Sequence, residues 1–234
     1  MLQVRNLHAW YGNSHVLQGV NLDVEEGELV CLVGRNGAGK TTTVKSIAGL
    51  MPKVQGSVKF AGKELLGLPA HARYAAGLAY VPEERRIVPG LSVRENIRLG
   101  LLCSPLRRRE AEVIDEIAQT FPRLKERLDQ QAVTMSGGEQ QMLAIARAAA
   151  SKPRLILLDE PSEGIMPVLV DEMFEYFRAL KRAGVTMLLI EQNVELALKA
   201  ADRAYIIDQG ALVYAGDAQT MLADPAIQER YCAV

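Results

Sequence analysis

The run Gly34-Arg35-Asn36-Gly37-Ala38-Gly39-Lys40-Thr41 sets glycines ahead of a lysine and a hydroxyl, directly after the apolar stretch 29–33. Glycines let backbone N–H groups approach phosphate oxygens, a lysine at this spacing neutralises β- and γ-phosphates, and a threonine hydroxyl holds Mg²⁺. Gly34, Asn36, Gly37, Ala38 and Gly39 are therefore expected to cradle a nucleotide's phosphates, with Lys40, Thr41 and Thr42 beside them and Thr41 also on the metal. A second cradle is legible in Ser136-Gly137-Gly138-Glu139, where a serine and two glycines open a helix with bare N–H groups, a hydroxyl and the positive end of the helix dipole. Two cradles with one phosphate-loop lysine suggest a nucleotide clamped between two molecules. Asp159-Glu160 closes a further apolar run, Leu155-Ile156-Leu157-Leu158. Asp159 can reach Mg²⁺ directly or through water, and Glu160 is placed to orient and deprotonate an attacking water. Alone, such a pair can be a solvated strand edge; beside a phosphate loop the hydrolytic reading prevails.

These groups need rigid supports. The first ~25 residues alternate as strands broken at Gly12-Asn13, and 29–33 reads as a buried parallel strand, with a helix from about Gly39 to Leu50. Val58-Lys59-Phe60 and Ala79-Tyr80-Val81 read as short strands. From about Pro82 to Gln131 helical signals dominate. Ser92-Val93-Arg94-Glu95 has the form of a capping box, and residues 107–128 carry a stripe at Val113, Ile114, Ile117, Phe121 and Leu124. That stripe packs on its own subdomain or, in a sharper reading, lines a groove for another protein's helix. After Gly138 strands and helices alternate again: strands at 155–158 and 185–190, a helix over about 168–182, and a hairpin turning at Gln209-Gly210. The fold class is α/β, a core interrupted by a helical insertion.

With 234 residues, 49% hydrophobic and 24% charged, the chain suits one large soluble domain or a core with a modest subdomain. A net charge of −1 gives no footing for a broad nucleic-acid surface. No apolar stretch approaches the ~20 residues that span a bilayer, and the N-terminus lacks a signal-peptide layout. Cys31, Cys103 and Cys232 have no metal-ligand spacing, and Cys31 reads as a small core residue. His8, His15 and His71 are scattered and read as surface or packing residues. Arg85-Arg86 and Arg107-Arg108-Arg109 read as solvated basic runs.

The phosphate loop, Ser136-Gly137-Gly138-Glu139-Gln140 and Leu157-Leu158-Asp159-Glu160-Pro161, in this order, resemble the ATP-binding-cassette ATPases over essentially the whole chain. The resemblance implies a phosphate-loop NTPase core with an N-terminal antiparallel β subdomain and an inserted α-helical subdomain. Residues 1–81 and 146–234 would form the core and 82–145 the helical part. It implies ATP and Mg²⁺ as cofactors and head-to-tail cassettes, each ATP held by one phosphate loop and the other cassette's signature, Ser136 to Glu139 here. It also implies that Tyr11 stacks on adenine; by itself Tyr11 could equally be a packed surface aromatic. The segments Leu7-His8-Ala9-Trp10-Tyr11-Gly12, Tyr80-Val81-Pro82-Glu83, 121–128 and Ile190-Glu191-Gln192-Asn193 look like the second ATPase of branched-chain amino acid importers, whose close relatives move urea and short amides. Such importers combine a periplasmic binding protein, two membrane-spanning permease subunits and two different ATPases. The expected partners are these, with a heterodimer of cassettes favoured over a homodimer and no nucleic acid. The expected location is the cytoplasmic face of a bacterial inner membrane, held there peripherally.

Three departures from the general cassette pattern stand out. Glu83 replaces a glutamine that touches Mg²⁺ and the lytic water, and as a carboxylate it could itself ligate the metal. Gln192 replaces a histidine; it can donate to a γ-phosphate oxygen but cannot become cationic, so transition-state stabilisation should weaken. Met166 stands where an aspartate is usual, in Pro161-Ser162-Glu163-Gly164-Ile165-Met166, and Ser162-Glu163-Gly164-Ile165 leans toward the urea or amide relatives. The site on this chain's own phosphate loop is thus expected to be the slower of two. Arg85-Arg86, directly after Glu83, is a candidate contact for a membrane subunit. Mechanical ATPases of chromosomes or DNA repair need a long coiled-coil excursion absent here, and translation-associated cassettes carry two cassettes per chain.

Overall fold

The alternation of the first residues closes as an antiparallel hairpin, β1 (Leu2–Tyr11) and β2 (Ser14–Val24), around Gly12-Asn13. One face is buried through Leu2, Val4, Leu7 and Ala9 of β1 and Leu17, Val20, Leu22 and Val24 of β2. The computed structural model describes residues 1–224 and 226, so Cys232 lies outside the described residues. Next come β3 (Leu29–Val33), α1 (Lys40–Ala48), β4 (Lys53–Phe60), β5 (Lys63–Glu64), α2 (Ala70–Ala75) and β6 (Leu78–Val81). The middle of the chain holds α3 (Val93–Leu99), α4 (Glu110–Thr120), α5 (Pro122–Lys125) and α6 (Gly137–Ala150), with 3₁₀ turns at Pro105–Arg109 and Ala132–Thr134. Then follow β7 (Leu155–Asp159), α7 (Pro167–Arg182), β8 (Thr186–Ile190), α8 (Val194–Ala200), β9 (Arg203–Asp208), β10 (Ala211–Asp217) and α9 (Ala218–Leu222).

The strands form a four-stranded sheet, β2-β1-β4-β5, and a six-stranded sheet, β10-β9-β3-β8-β7-β6. From β9 to β6 the second sheet is parallel, and β10 joins its edge antiparallel. Every residue of β3, β7 and β8 is buried, because helices cover one face and α1 with the four-stranded sheet covers the other, and this is why they read as unbroken apolar runs. Their carboxyl ends lie side by side: Leu32 pairs with Ile190, and Ile190 with Asp159. The loops after these strands therefore converge on one edge, where open parallel sheets place their ligands.

Two devices hold the helix that follows the first loop. Gly49, with φ 79, ends α1 in the left-handed region, and the buried guanidinium of Arg73 donates to the carbonyls of Ser46, Ile47 and Leu68. The cation thus sits at the negative end of α1, answering the Ile47 carbonyl and joining the Gly49 N–H on that of Ser46.

Between 82 and 145 the described residues form no strand, only an isolated bridge from Ser92 to Gln131. The capping box at Ser92 and Glu95 forms as expected. The helix expected over 107–128 is broken: Pro122 lacks an N–H and displaces Phe121 from helical geometry (φ −119), so α4 stops and α5 begins. All five residues of its stripe are buried inside this chain, against α3 and α6 of the helical part and, through the Phe121 ring 4.0 Å from that of Tyr176, also against α7 of the core. Helix α6 runs across the expected 145/146 boundary to Ala150. Among the described residues no helix is long and apolar enough to cross a membrane.

Candidate active site

Val33 ends β3, and residues 34–39 turn back over the sheet edge before α1 begins at Lys40. A Cβ on Gly34 would lie 2.2 Å from the Ile207 carbonyl oxygen, so at φ 152 only glycine fits between the loop and β9. Gly39 takes the N-cap at φ 113 without a side-chain cap, leaving the first N–H groups of α1 for an anion. Asn36, Gly37 and Ala38 complete the turn, and Thr42 lies buried in the first turn of α1. The Lys40 ammonium, 4% exposed, donates to the carbonyls of Gly34 (3.0 Å) and Arg35 (3.3 Å) and lies 3.3 Å from Glu160 Oε1.

Thr41 Oγ1 donates to Asp159 Oδ1 at 3.0 Å, and the Tyr80 hydroxyl donates to Asp159 Oδ2 at 2.8 Å. Burial pushes the Asp159 carboxyl above its ordinary range, against the lowering effect of these two hydrogen bonds. Burial also raises the Tyr80 hydroxyl, so it keeps its own proton and donates it in a hydrogen bond to Asp159. A hydroxyl beside a carboxylate is a hard oxygen donor set, so Thr41 and Asp159 fit Mg²⁺.

Glu160 is 8% exposed and sits at φ 46, its N–H held by the Ile190 carbonyl at 2.9 Å. A non-glycine residue at positive φ beyond a strand end is backbone strain of the kind that clusters in active sites. Gln192 Nε2 donates to Glu160 Oε2 at 2.7 Å and to Glu163 Oε2 at 3.2 Å. The donors expected to meet a γ-phosphate are therefore spent on carboxylates here. Carboxylate oxygens of Glu83, Glu160 and Glu163 lie within 4.8 Å of one another. Glu83 thus joins Glu160 and Glu163, while Asp159 accepts from Thr41 and Tyr80. Glu163 holds its proton more tightly than usual, chiefly through its hydrogen bond with Glu160.

Tyr11 lies at the β1 end of the hairpin, 48% exposed. Strand β2 ties the hairpin to the phosphate loop: Gln18 N–H donates to the Gly210 carbonyl at 2.8 Å, and Gly210 N–H to that of Ala38 at 2.9 Å. At the second cradle Ser136 caps α6, accepting from Glu139 N–H at 3.4 Å and donating its hydroxyl to Glu139 Oε2 at 2.8 Å. Glu139 also pairs with Arg127 at 3.2 Å. The Ser136 hydroxyl is therefore engaged within its own capping box, and Gly137 and Gly138 supply the bare N–H groups.

The structure corrects two minor readings. His8 and His15 are not scattered: the hairpin brings His8 Nδ1 within 3.0 Å of His15 Nε2, and Trp10 stacks on His15 at 4.5 Å. Antiparallel pairing sets Trp10 opposite His15, so residues distant in sequence share one exposed face. Arg85 is not simply solvated. At φ 60 it turns its guanidinium toward Gly137, where a Cβ would meet Nη1 at 2.6 Å, while exposed Arg86 pairs with Glu84 at 3.7 Å.

Three residues of the site have no role in the sequence-based expectations. Tyr80 depends on what the fold sets opposite it, and Glu163 on the turn after Glu160. Glu191 did leave a signal: like Asp159, it is an acid at the end of a fully buried strand.

The sequence model of the ABC transporter family matches residues 17–163. The high-affinity branched-chain amino acid transport ATP-binding protein BraG of Pseudomonas aeruginosa is 42% identical over 231 residues, 99% of each chain. The probable branched-chain amino acid transport ATP-binding protein LivF of Archaeoglobus fulgidus is 35% identical over 95% of this chain and 94% of its own. The lipopolysaccharide export ATP-binding protein LptB of Escherichia coli K12 is 34% identical over 98% and 96%. Among solved structures, an ATP-binding cassette of an ABC transporter superposes with a TM-score of 0.85 at 27% identity over 98% of this chain and 97% of that one. The ADP conformation of such a cassette gives 0.82 at 27%, with the same coverage.

Proposed function

The chain belongs to the ABC transporter family, and from that premise we propose that it is the ATP-hydrolysing subunit of a membrane importer for branched-chain amino acids. The observation that carries the catalytic reading is the meeting of Lys40, the Thr41–Asp159 pair and Glu160 at the carboxyl ends of β3 and β7. The 42% identity to a branched-chain amino acid transport subunit, against 34% to a lipopolysaccharide export subunit, supports the cargo.

In this reading Tyr11 stacks on the adenine, and the N–H groups of Gly34, Asn36, Gly37, Ala38 and Gly39 with those of Lys40, Thr41 and Thr42 bind the phosphates. Lys40 exchanges its contact with Glu160 for the β- and γ-phosphates. Mg²⁺, held by Thr41 and Asp159 with Glu83 as a further carboxylate, would supply charge neutralisation on the phosphates. Glu160, freed from Lys40, accepts the proton of the attacking water. Gln192 lets go of Glu163 to donate toward the γ-phosphate, without the positive charge a histidine could bring. Ser136, Gly137, Gly138 and Glu139 present the α6 N-terminus to a nucleotide carried by a second cassette, in a heterodimer rather than a homodimer. Two permease subunits hold the pair at the cytoplasmic membrane face and a periplasmic binding protein delivers cargo to them. Residues 1–81 and 146–234 act as the catalytic core and 82–145 as the helical subdomain, a division supported by the lack of strands between 82 and 145 among the described residues.

The test is ATP binding, ATP hydrolysis and uptake by the assembled transporter. Lys40→Ala should weaken ATP binding at least tenfold, whereas Glu160→Gln should keep binding and lower turnover at least a hundredfold. Leucine, isoleucine or valine should be taken up in preference to urea or acetamide. Full turnover in Glu160→Gln would refute the catalytic assignment, and urea uptake without leucine uptake would refute the cargo.

A further inference from the structure

Strand β8 ends between two loops that do the chemistry, since Ile190 pairs with Leu32 on one side and Asp159 on the other. The next residue, Glu191, is 1% exposed. Its Oε1 accepts from the Ser162 N–H at 2.9 Å, and its Oε2 from the Ser162 hydroxyl at 2.7 Å and the Gln192 N–H at 3.2 Å. Burying a carboxyl here is costly, and burial pushes it up to about 7 despite these bonds. Mere filling of the space would need no charge. What a carboxyl adds is a bond to each of two segments at once.

Those segments close a ring. Ser162 and Glu163 belong to one loop, and the Gln192 side chain returns to Glu163 and to Glu160. The same loop runs to Met166 and Val168, each 65% exposed at the start of α7, where a neighbouring cassette can press on it. A shift of the loop therefore moves Ser162, and through Glu191 it moves the backbone of Gln192.

We propose that Glu191 is a positioning residue for hydrolysis, clamping the loop 161–166 to Gln192 so that the position of the loop sets the orientation of Gln192 against Glu160. The inference rests on the reading of Glu160 as the group that activates water. Neither Glu191 nor Ser162 contacts the nucleotide in this reading, and Lys40 and the phosphate-loop N–H groups that bind it are untouched, so loss of the clamp shows in turnover far more than in ATP affinity.

ATPase kinetics of the assembled transporter test this. Glu191→Ala should lower kcat tenfold or more with KM for ATP changed less than twofold. Glu191→Gln, which keeps the shape and one accepting oxygen, should recover part of the loss. Ser162→Ala should lower kcat alone yet add nothing in the Glu191→Ala background, because the two act as one unit. Unchanged kcat in Glu191→Ala, a rise in KM alone, or additive losses would overturn the proposal. If Glu191→Ala does not assemble, Ser162→Ala decides: a fall in kcat at constant KM supports the clamp and an unchanged kcat refutes it. Glu160→Gln is measured in parallel. Retained turnover there means the hydrolytic reading has failed, whereas lost turnover with an intact Glu191→Ala variant means that only the clamp has.

Discussion

Lys40 and Glu160 form an ion pair that is almost wholly out of water, with Lys40 also on two carbonyls and Glu160 on the Gln192 amide. Such a pair gains little net stability, since its attraction must first offset desolvation. It is better understood as a resting contact that phosphate displaces. The Glu191 carboxyl titrates near 7 in the folded chain against an ordinary value of 4.5. Between those pH values the folded state holds a proton on Glu191 that the unfolded state has released, so this group's contribution to stability is fullest below 4.5 and is lost as pH rises through 7. The difference is at most about 3 kcal/mol. The Tm of the parent minus that of Glu191→Gln should therefore fall by roughly 5 °C between pH 5 and 7.5; parallel profiles would remove the account. Lys40, Thr41 and Asp159 were legible because their spacing sits on a strand–loop–helix frame that sequence periodicity reveals. The roles of Glu163 and Tyr80 were not, because each depends on which side chain the fold places opposite.

At the scale of elements, the phosphate loop is only as fixed as α1, and α1 is fixed at its far end by Arg73. Three backbone carbonyls, those of Ser46, Ile47 and Leu68, accept from that one guanidinium. Arg73→Met fills similar space but leaves the Ile47 and Leu68 carbonyls open, while Ser46 keeps the Gly49 N–H, at a cost of about 3 kcal/mol. Thermal unfolding should drop by about 6–12 °C, and an unchanged Tm would show that water serves those carbonyls equally well. Strands were readable from their unbroken apolar runs and hairpins from Gly12-Asn13 and Gln209-Gly210. The break between α4 and α5 was not read, since the apolar stripe continues through Phe121 and Leu124 while Pro122 interrupts the backbone beneath it. Periodicity reports the buried face and is blind to a kink that preserves it.

For the whole molecule, the two cradles have unequal surroundings. The phosphate loop meets Glu83, Glu163 and a Gln192 already committed to carboxylates. By contrast α6 opens with its capping box formed, Gly137 and Gly138 offering N–H groups and the Arg85 guanidinium close to Gly137. On the proposed reading, this chain's signature serves another cassette's ATP better than its own loop serves hydrolysis. ATP turnover by the assembled mixed pair tests this directly, with Ser136→Arg or Lys40→Ala introduced into this chain alone. Ser136 is exposed, so arginine there blocks the shared face at a folding cost of only about 1 kcal/mol. Ser136→Arg should remove most of the turnover while leaving ATP binding at Lys40 intact, and Lys40→Ala should remove the smaller share. Turnover unaffected by Ser136→Arg would contradict a nucleotide shared between two molecules, and equal losses would contradict the asymmetry.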